Sequence, residues 1–121
     1  MALVGKKVQR QKDVVGTSWY IRRAMSTEPS LTVVATVIRR HLPSAAWRAV
    51  LFGSRARGEA RPGSDWDIGL IGPGPLPVAV VQRIRADLED LPTLHSFEVV
   101  DLAATPAGFR EAALRGSVPL P

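Results

Sequence analysis

The chain has no cysteine and only two histidines among its 121 residues. Without thiols there are no disulfides, no thiolate nucleophile and no soft-metal site, a usage compatible with the reducing cytoplasm in which we expect the protein to act. His41 falls at the end of a helical stretch, where a cation is ordinary, and His95 falls in a loop, so neither is assigned a catalytic role. No apolar run approaches the roughly eighteen residues of a membrane-spanning helix, and the first residues lack the apolar core of a signal peptide. Lysine is absent beyond Lys12. Internal repeats and low-complexity tracts are missing too. Aromatics are sparse at 6%, and Trp47 and Trp66 fit core or interface positions better than base-stacking platforms.

The length suits one domain with a single core, and a hydrophobic content of 45% suits a globular chain. The formal charge of +5 suggests nucleic acid at first, but its distribution argues otherwise. Residues 1–28 hold Lys6, Lys7, Arg10, Lys12, Arg22 and Arg23 against Asp13 and Glu28, a net of +4. The remainder carries ten arginines against nine acids. We therefore expect a basic N-terminal tail over 1–28, disordered on composition, and a near-neutral domain over 29–121. Nucleic acid is not expected as a partner except weakly through the tail, which also has apolar residues at Val14, Val15, Trp19, Tyr20 and Ile21.

Chemistry concentrates in residues 51–71, LFGSRARGEARPGSDWDIGLI. Ala46 to Phe52 reads as a short buried strand running into Gly53-Ser54. The glycine lets the backbone bend sharply and approach a ligand, and Ser54 offers a hydroxyl and an N–H at a helix start, where phosphate oxygens fit. After a loop with Pro62 and Gly63, Asp65 to Ile71 reads as a second strand. Its period of two places Asp65 and Asp67 on one face and Trp66, Ile68 and Leu70 on the other. Two like charges on one face need a cation or hydrogen bonds to compensate them; a divalent metal is the economical answer, and the alternative is an Asp65 that caps a turn with a solvated Asp67. Oxygen ligands without histidine or cysteine favour Mg²⁺ or Mn²⁺ over zinc. Arg55, Arg57 and Arg61 flank the turn; guanidinium suits phosphate, and Arg57 is the favoured clamp.

Gly53-Ser54-Arg55-Ala56-Arg57-Gly58 followed by Ser64-Asp65-Trp66-Asp67 resembles the signature of the minimal nucleotidyltransferases, small members of the DNA polymerase β-like superfamily. The resemblance spans about Leu31 to Leu114. It implies a polymerase β-type fold, nucleotidyl transfer from a nucleoside triphosphate, ATP in first place, and two Mg²⁺ or Mn²⁺ ions. It makes Gly53 and Ser54 triphosphate contacts and Asp65 and Asp67 metal ligands, with a third carboxylate on a later strand. Such proteins often pair with a small HEPN-domain toxin and neutralise it, in some cases by transferring AMP to it. That antitoxin role is the expected function. The alternative is a catalytically weakened nucleotide- or protein-binding subunit that neutralises its partner by complex formation.

The third carboxylate belongs to Ser96 to Leu102, where Glu98 and Asp101 stand three apart and so face opposite sides of a regular strand. Family members often show Asp-x-x-Asp here with the first acid catalytic. That alignment selects Glu98, with Asp101 as the other candidate; glutamate where the family has aspartate adds a methylene to a site of tight geometry.

The remaining elements alternate. Pro29-Ser30 opens a helix through about Leu42 with Leu31, Val34, Ala35, Ile38 and Leu42 on one stripe. Gly53 turns into a short helix near 54–58. Residues 76–91 repeat apolar Val80, Ile84, Leu88 and Leu91 at helical spacing, their acids being solvated. Thr105 as N-cap, Pro106 as first helical residue and Gly116 delimit a last short helix. The expected class is α+β with α/β-like alternation, a small mixed β-sheet flanked by helices.

Overall fold

The computed structural model describes residues 29–60 and 65–121. The expectations for the basic tail, and for Arg61, Pro62, Gly63 and Ser64, fall outside the described residues. Helix α1 spans Leu31–Arg39, β1 Arg48–Phe52, α2 Gly53–Ala56, β2 Trp66–Ile71, α3 Val78–Glu89, β3 Phe97–Asp101, α4 Ala107–Leu114 and β4 Val118–Pro119. A 3₁₀ turn, Leu102–Ala104, joins β3 to the segment before α4.

Among the described residues the strands form one four-stranded mixed sheet in the order β3-β2-β1-β4. β1 pairs antiparallel with β2 and with β4, and β2 pairs parallel with β3 through the α3 crossover. This is the mixed α+β sheet expected from the alternation. Both faces are covered, which is why β1 is buried at four successive positions instead of alternating. Ala49 and Leu51 join Ile68, Leu70 and Val99 beneath α1 and α3. Val50 and Phe52 join Leu102 and Ala113 beneath the 3₁₀ turn and α4. Trp66, Ile68, Leu70, Ile84 and Leu88 lose essentially all contact with solvent, each such side chain being worth about 1.5–3 kcal/mol.

Local chemistry sets the ends. Ser30 Oγ accepts from the Val33 amide at 3.0 Å and caps α1, as its sequence suggests. The helix stops at Arg39, three residues short of Leu42, and continues as a turn. Leu31 is exposed, and Val37 joins the buried stripe. In α3 the buried residues are Val81, Ile84 and Leu88, one step around from the expected Val80. Asp87 is not simply solvated: its Oδ2 lies 2.7 Å from His41 Nε2 and ties the end of α1 to α3. Thr105 is not the N-cap of the last helix. Its hydroxyl donates to the Leu102 carbonyl at 2.7 Å and closes the 3₁₀ turn, while Pro106 caps α4 one residue later. Among the described residues, no helix is long and apolar enough to cross a membrane.

Candidate active site

The site forms where β1 ends beside the beginning of β2. Gly53 takes φ of +77°, a left-handed conformation that glycine adopts without steric cost, and the chain turns at once into α2. The one-turn helix is closed by the Arg57 amide on the Gly53 carbonyl at 3.2 Å and the Glu59 amide on the Ser54 carbonyl at 2.8 Å. At its N-terminal end the first amides of α2, from Gly53 and Ser54, have no acceptor one helical turn back.

β2 brings Asp67 to this turn. Asp67 stands opposite Phe52 on β1 and opposite Glu98 on β3, so one carboxylate adjoins both the bend and the second acid. The approach is close: a Cβ built on Gly53 would sit 2.2 Å from Asp67 Oδ2. Gly53 is therefore required twice, for its backbone angle and for the carboxylate that fills the space of a side chain. Sequence reasoning anticipated the bend; the contact with Asp67 depends on strand pairing.

Asp67 is half-buried, whereas Asp65 and Glu98 are exposed. Desolvation raises the Asp67 carboxyl above its ordinary value, the negative charges of Glu98 and then Asp65 raise it further, and Arg57 pulls it back. The three acids and the arginine thus share one field. Asp101 lies elsewhere. Its Oδ2 accepts from the Leu76 amide at 2.7 Å and its Oδ1 from the Ala103 amide at 3.2 Å, so both oxygens hold the loop before α3 and the 3₁₀ turn. In register it opposes Leu70, three residues beyond Asp67.

The arginines divide their tasks. Arg55 lies with its guanidinium carbon 5.1 Å from the centre of the Trp66 ring and one nitrogen 3.2 Å from His95 Nδ1, which engages it in structure. Arg57 pairs with Glu59 at 2.9 Å, both side chains more than half exposed, an ion pair worth no more than about 1 kcal/mol. Arg61 lies outside the described residues.

The oxygen donors suit a hard divalent cation, which would offset both the partial burial of the Asp67 carboxylate and the like charges of Glu98 and Asp65 beside it. Among the described residues no three His, Cys, Asp or Glu side chains are close enough to hold one ion unaided. Mg²⁺ needs no such cage, since one or two carboxylates and substrate phosphates hold it.

Sequence reasoning passed over one neighbour of the site. Phe109, on α4, sets its ring edge-on to Phe52 at 6.3 Å between centroids, above the strand residue that faces Asp67. Only the fold joins the two.

Residues 43–120 match the model of the family described as polymerase beta, nucleotidyltransferase. No curated protein matches the chain. Among solved structures, a candidate minimal nucleotidyltransferase is 27% identical, with a TM-score of 0.58 over 88% of this chain and 99% of that one. A toxin–antitoxin MntA–HpeT structure, in a variant with two aspartates replaced by glutamate, is 15% identical, with a TM-score of 0.61 over 76% of this chain and 72% of that one. A toxin–antitoxin structure with AMP-PNP is 18% identical, with a TM-score of 0.58 over 76% of this chain and 73% of that one. At that identity the last two speak to the fold alone.

Proposed function

Since the chain belongs to the polymerase β nucleotidyltransferase family, we propose that it transfers a nucleoside monophosphate, AMP from ATP, to a hydroxyl of a partner protein. In this reading it acts in the cytoplasm as antitoxin to a HEPN-type toxin. The observation that carries the chemistry is the meeting of Gly53 with Asp67, with Glu98 alongside on the parallel strand. The partner is read from fold neighbours described as toxin–antitoxin structures, one with AMP-PNP, and from a domain with little surface for a second substrate pocket.

The amides of Gly53 and Ser54 and the Ser54 hydroxyl would receive triphosphate oxygens, because α2 begins there and the first amides of a helix have no intrahelical acceptor. Arg57, held to Glu59 only in an exposed pair, would turn to the phosphates, whose oxygens a guanidinium can grip bidentately. Asp65, Asp67 and Glu98 would hold two Mg²⁺ or Mn²⁺ ions, which when bound neutralise phosphate charge and favour an ionised acceptor oxygen. Asp67, the most buried of the three, fixes their position against the turn. The acceptor oxygen then bonds to the α-phosphorus as its bond to the pyrophosphate oxygen breaks in line.

The test is incubation with labelled ATP and Mg²⁺ together with the product of the neighbouring gene, followed by mass analysis of both proteins. One or more AMP units on the partner is the expected result; no added mass on either protein, with an active partner remaining active, overturns the proposal. A second reading, neutralisation by complex formation alone, is favoured by one feature: the third acid is an exposed glutamate. Glu98→Ala separates the two, because a purely binding subunit would still silence the partner after that change.

A further inference from the structure

Phe109 is the one large aromatic among the exposed hydrophobic side chains of the described residues, at 48% exposure. It lies on α4 over Phe52, and Phe52 faces Asp67 across the β1–β2 pair. β-Sheet alternation puts Phe52, Asp67 and Glu98 on the sheet face that α4 covers, so the aromatic pair and the acids share that face. The rings meet at 86°, a T-shaped contact that occupies at most one face of Phe109. The ring remains about half exposed, and its contact, Phe52, is the residue that leads directly into the Gly53 turn.

The ring is also held in place. Arg110, the next residue, donates to the Leu102 carbonyl at 3.2 Å and to the Thr105 carbonyl at 3.4 Å, fastening the start of α4 to the 3₁₀ turn. Its charge is thereby committed to backbone, and Phe109 is presented on an anchored helix, not on a loose end. A single half-exposed Phe is ordinary on a protein surface, so what points to a ligand is its place, against Phe52 and on the face of the sheet that carries Asp67 and Glu98.

We propose that Phe109 is the platform on which the base of the donor nucleotide stacks, with Phe52 as its backing. The inference rests on the nucleotidyltransferase reading and adds the residue that grips the nucleoside end of the donor. Phosphate contacts at Gly53 and Ser54 are blind to the base; a flat ring next to them gives the site affinity for a nucleotide over a bare polyphosphate. Stacking tolerates any base, so Phe109 sets affinity for nucleotides as a class and leaves the choice among them to hydrogen bonds elsewhere.

The test compares binding of MgATP with binding of magnesium tripolyphosphate, by calorimetry, for the parent protein, Phe109→Ala and Phe109→Trp. Base stacking predicts that Phe109→Ala weakens ATP binding about tenfold and leaves tripolyphosphate unchanged. Phe109→Trp should keep ATP binding and add a fluorescence contribution quenched by ATP and not by tripolyphosphate. Equal ATP affinity in Phe109→Ala and parent overturns the proposal, as does an equal loss of both ligands, which marks a structural role. Unchanged ATP binding with a weakened complex with the toxin would make Phe109 a protein contact, and also overturns it. A parent protein that binds neither ligand defeats the nucleotidyltransferase reading itself, and the stacking role with it.

Discussion

Asp67 carries its charge in a half-buried place already crowded by Glu98 and Asp65, so the folded chain holds that proton more tightly than the unfolded chain does. Linkage fixes the sign. A raised carboxyl contributes stability that is complete below the ordinary aspartate range and is lost as pH rises through the raised value. Asp67→Asn is therefore expected to raise Tm at neutral pH, the gain fading in acid where the parent is protonated as well, and to reduce AMP transfer at least about 100-fold. Thermal melts from acid to neutral pH check the first half; a lower Tm for the variant at neutral pH would show that the carboxylate is a stabilising ligand of the fold. Gly53 supports a second comparison. Gly53 and Gly58 have nearly the same backbone angle, φ of +77° and +74°, but a Cβ meets Asp67 at the first and nothing within 4 Å at the second. Alanine at either position should cost about 1–2 kcal/mol for the left-handed backbone. Only Gly53→Ala should also displace Asp67, destabilise further and abolish transfer. Similar losses of stability and activity in the two variants would mean that the close approach is unimportant.

Among the elements, Asp101 holds two together at once, the loop entering α3 through the Leu76 amide and the 3₁₀ turn through the Ala103 amide. Asp101→Ala leaves both donors without that acceptor and is expected to cost about 1–3 kcal/mol in urea denaturation. The folded fraction should keep its transfer activity, whereas Glu98→Ala should keep stability and lose activity. The reverse pattern would make Asp101 the third acid. These roles were only partly legible in the chain. Ser30 was readable as a cap because capping is local, and the alternation of Trp66, Asp67 and Ile68 was readable because a strand has period two. The opposed directions of Glu98 and Asp101 followed from the same rule, but the partners that occupy Asp101 come from Leu76 and Ala103, and no spacing reveals the first. β4 was not legible at all: a two-residue edge strand containing Pro119 has no periodicity and exists only through its pairing with Val50 and Leu51. Thr105 was read as a cap because its residue type fits one, yet the 3₁₀ turn before it takes the hydroxyl. Phe109 near Asp67 is likewise a product of strand pairing and helix packing, neither visible in linear order.

For the molecule as a whole, charge is divided between a tail with a net of +4 and a domain with ten arginines against nine acids. We propose that residues 29–121 fold and bind nucleotide on their own and that any affinity for nucleic acid belongs to the tail. The domain supplies the physical ground: its charge is nearly balanced, and Arg55 on Trp66 and His95, Arg85 on the Val99 carbonyl, and Arg110 on Leu102 and Thr105 are committed to the fold. Binding of a polyanion by the tail would be of the counterion-release kind, with no sequence preference and a steep loss between about 50 and 200 mM salt. Removal of residues 1–28 is expected to leave Tm and MgATP affinity within error of the full chain and to eliminate retention on heparin or RNA at low salt. A truncated protein that still binds RNA would place a basic surface on the domain; one that melts earlier would show the tail to be part of the fold.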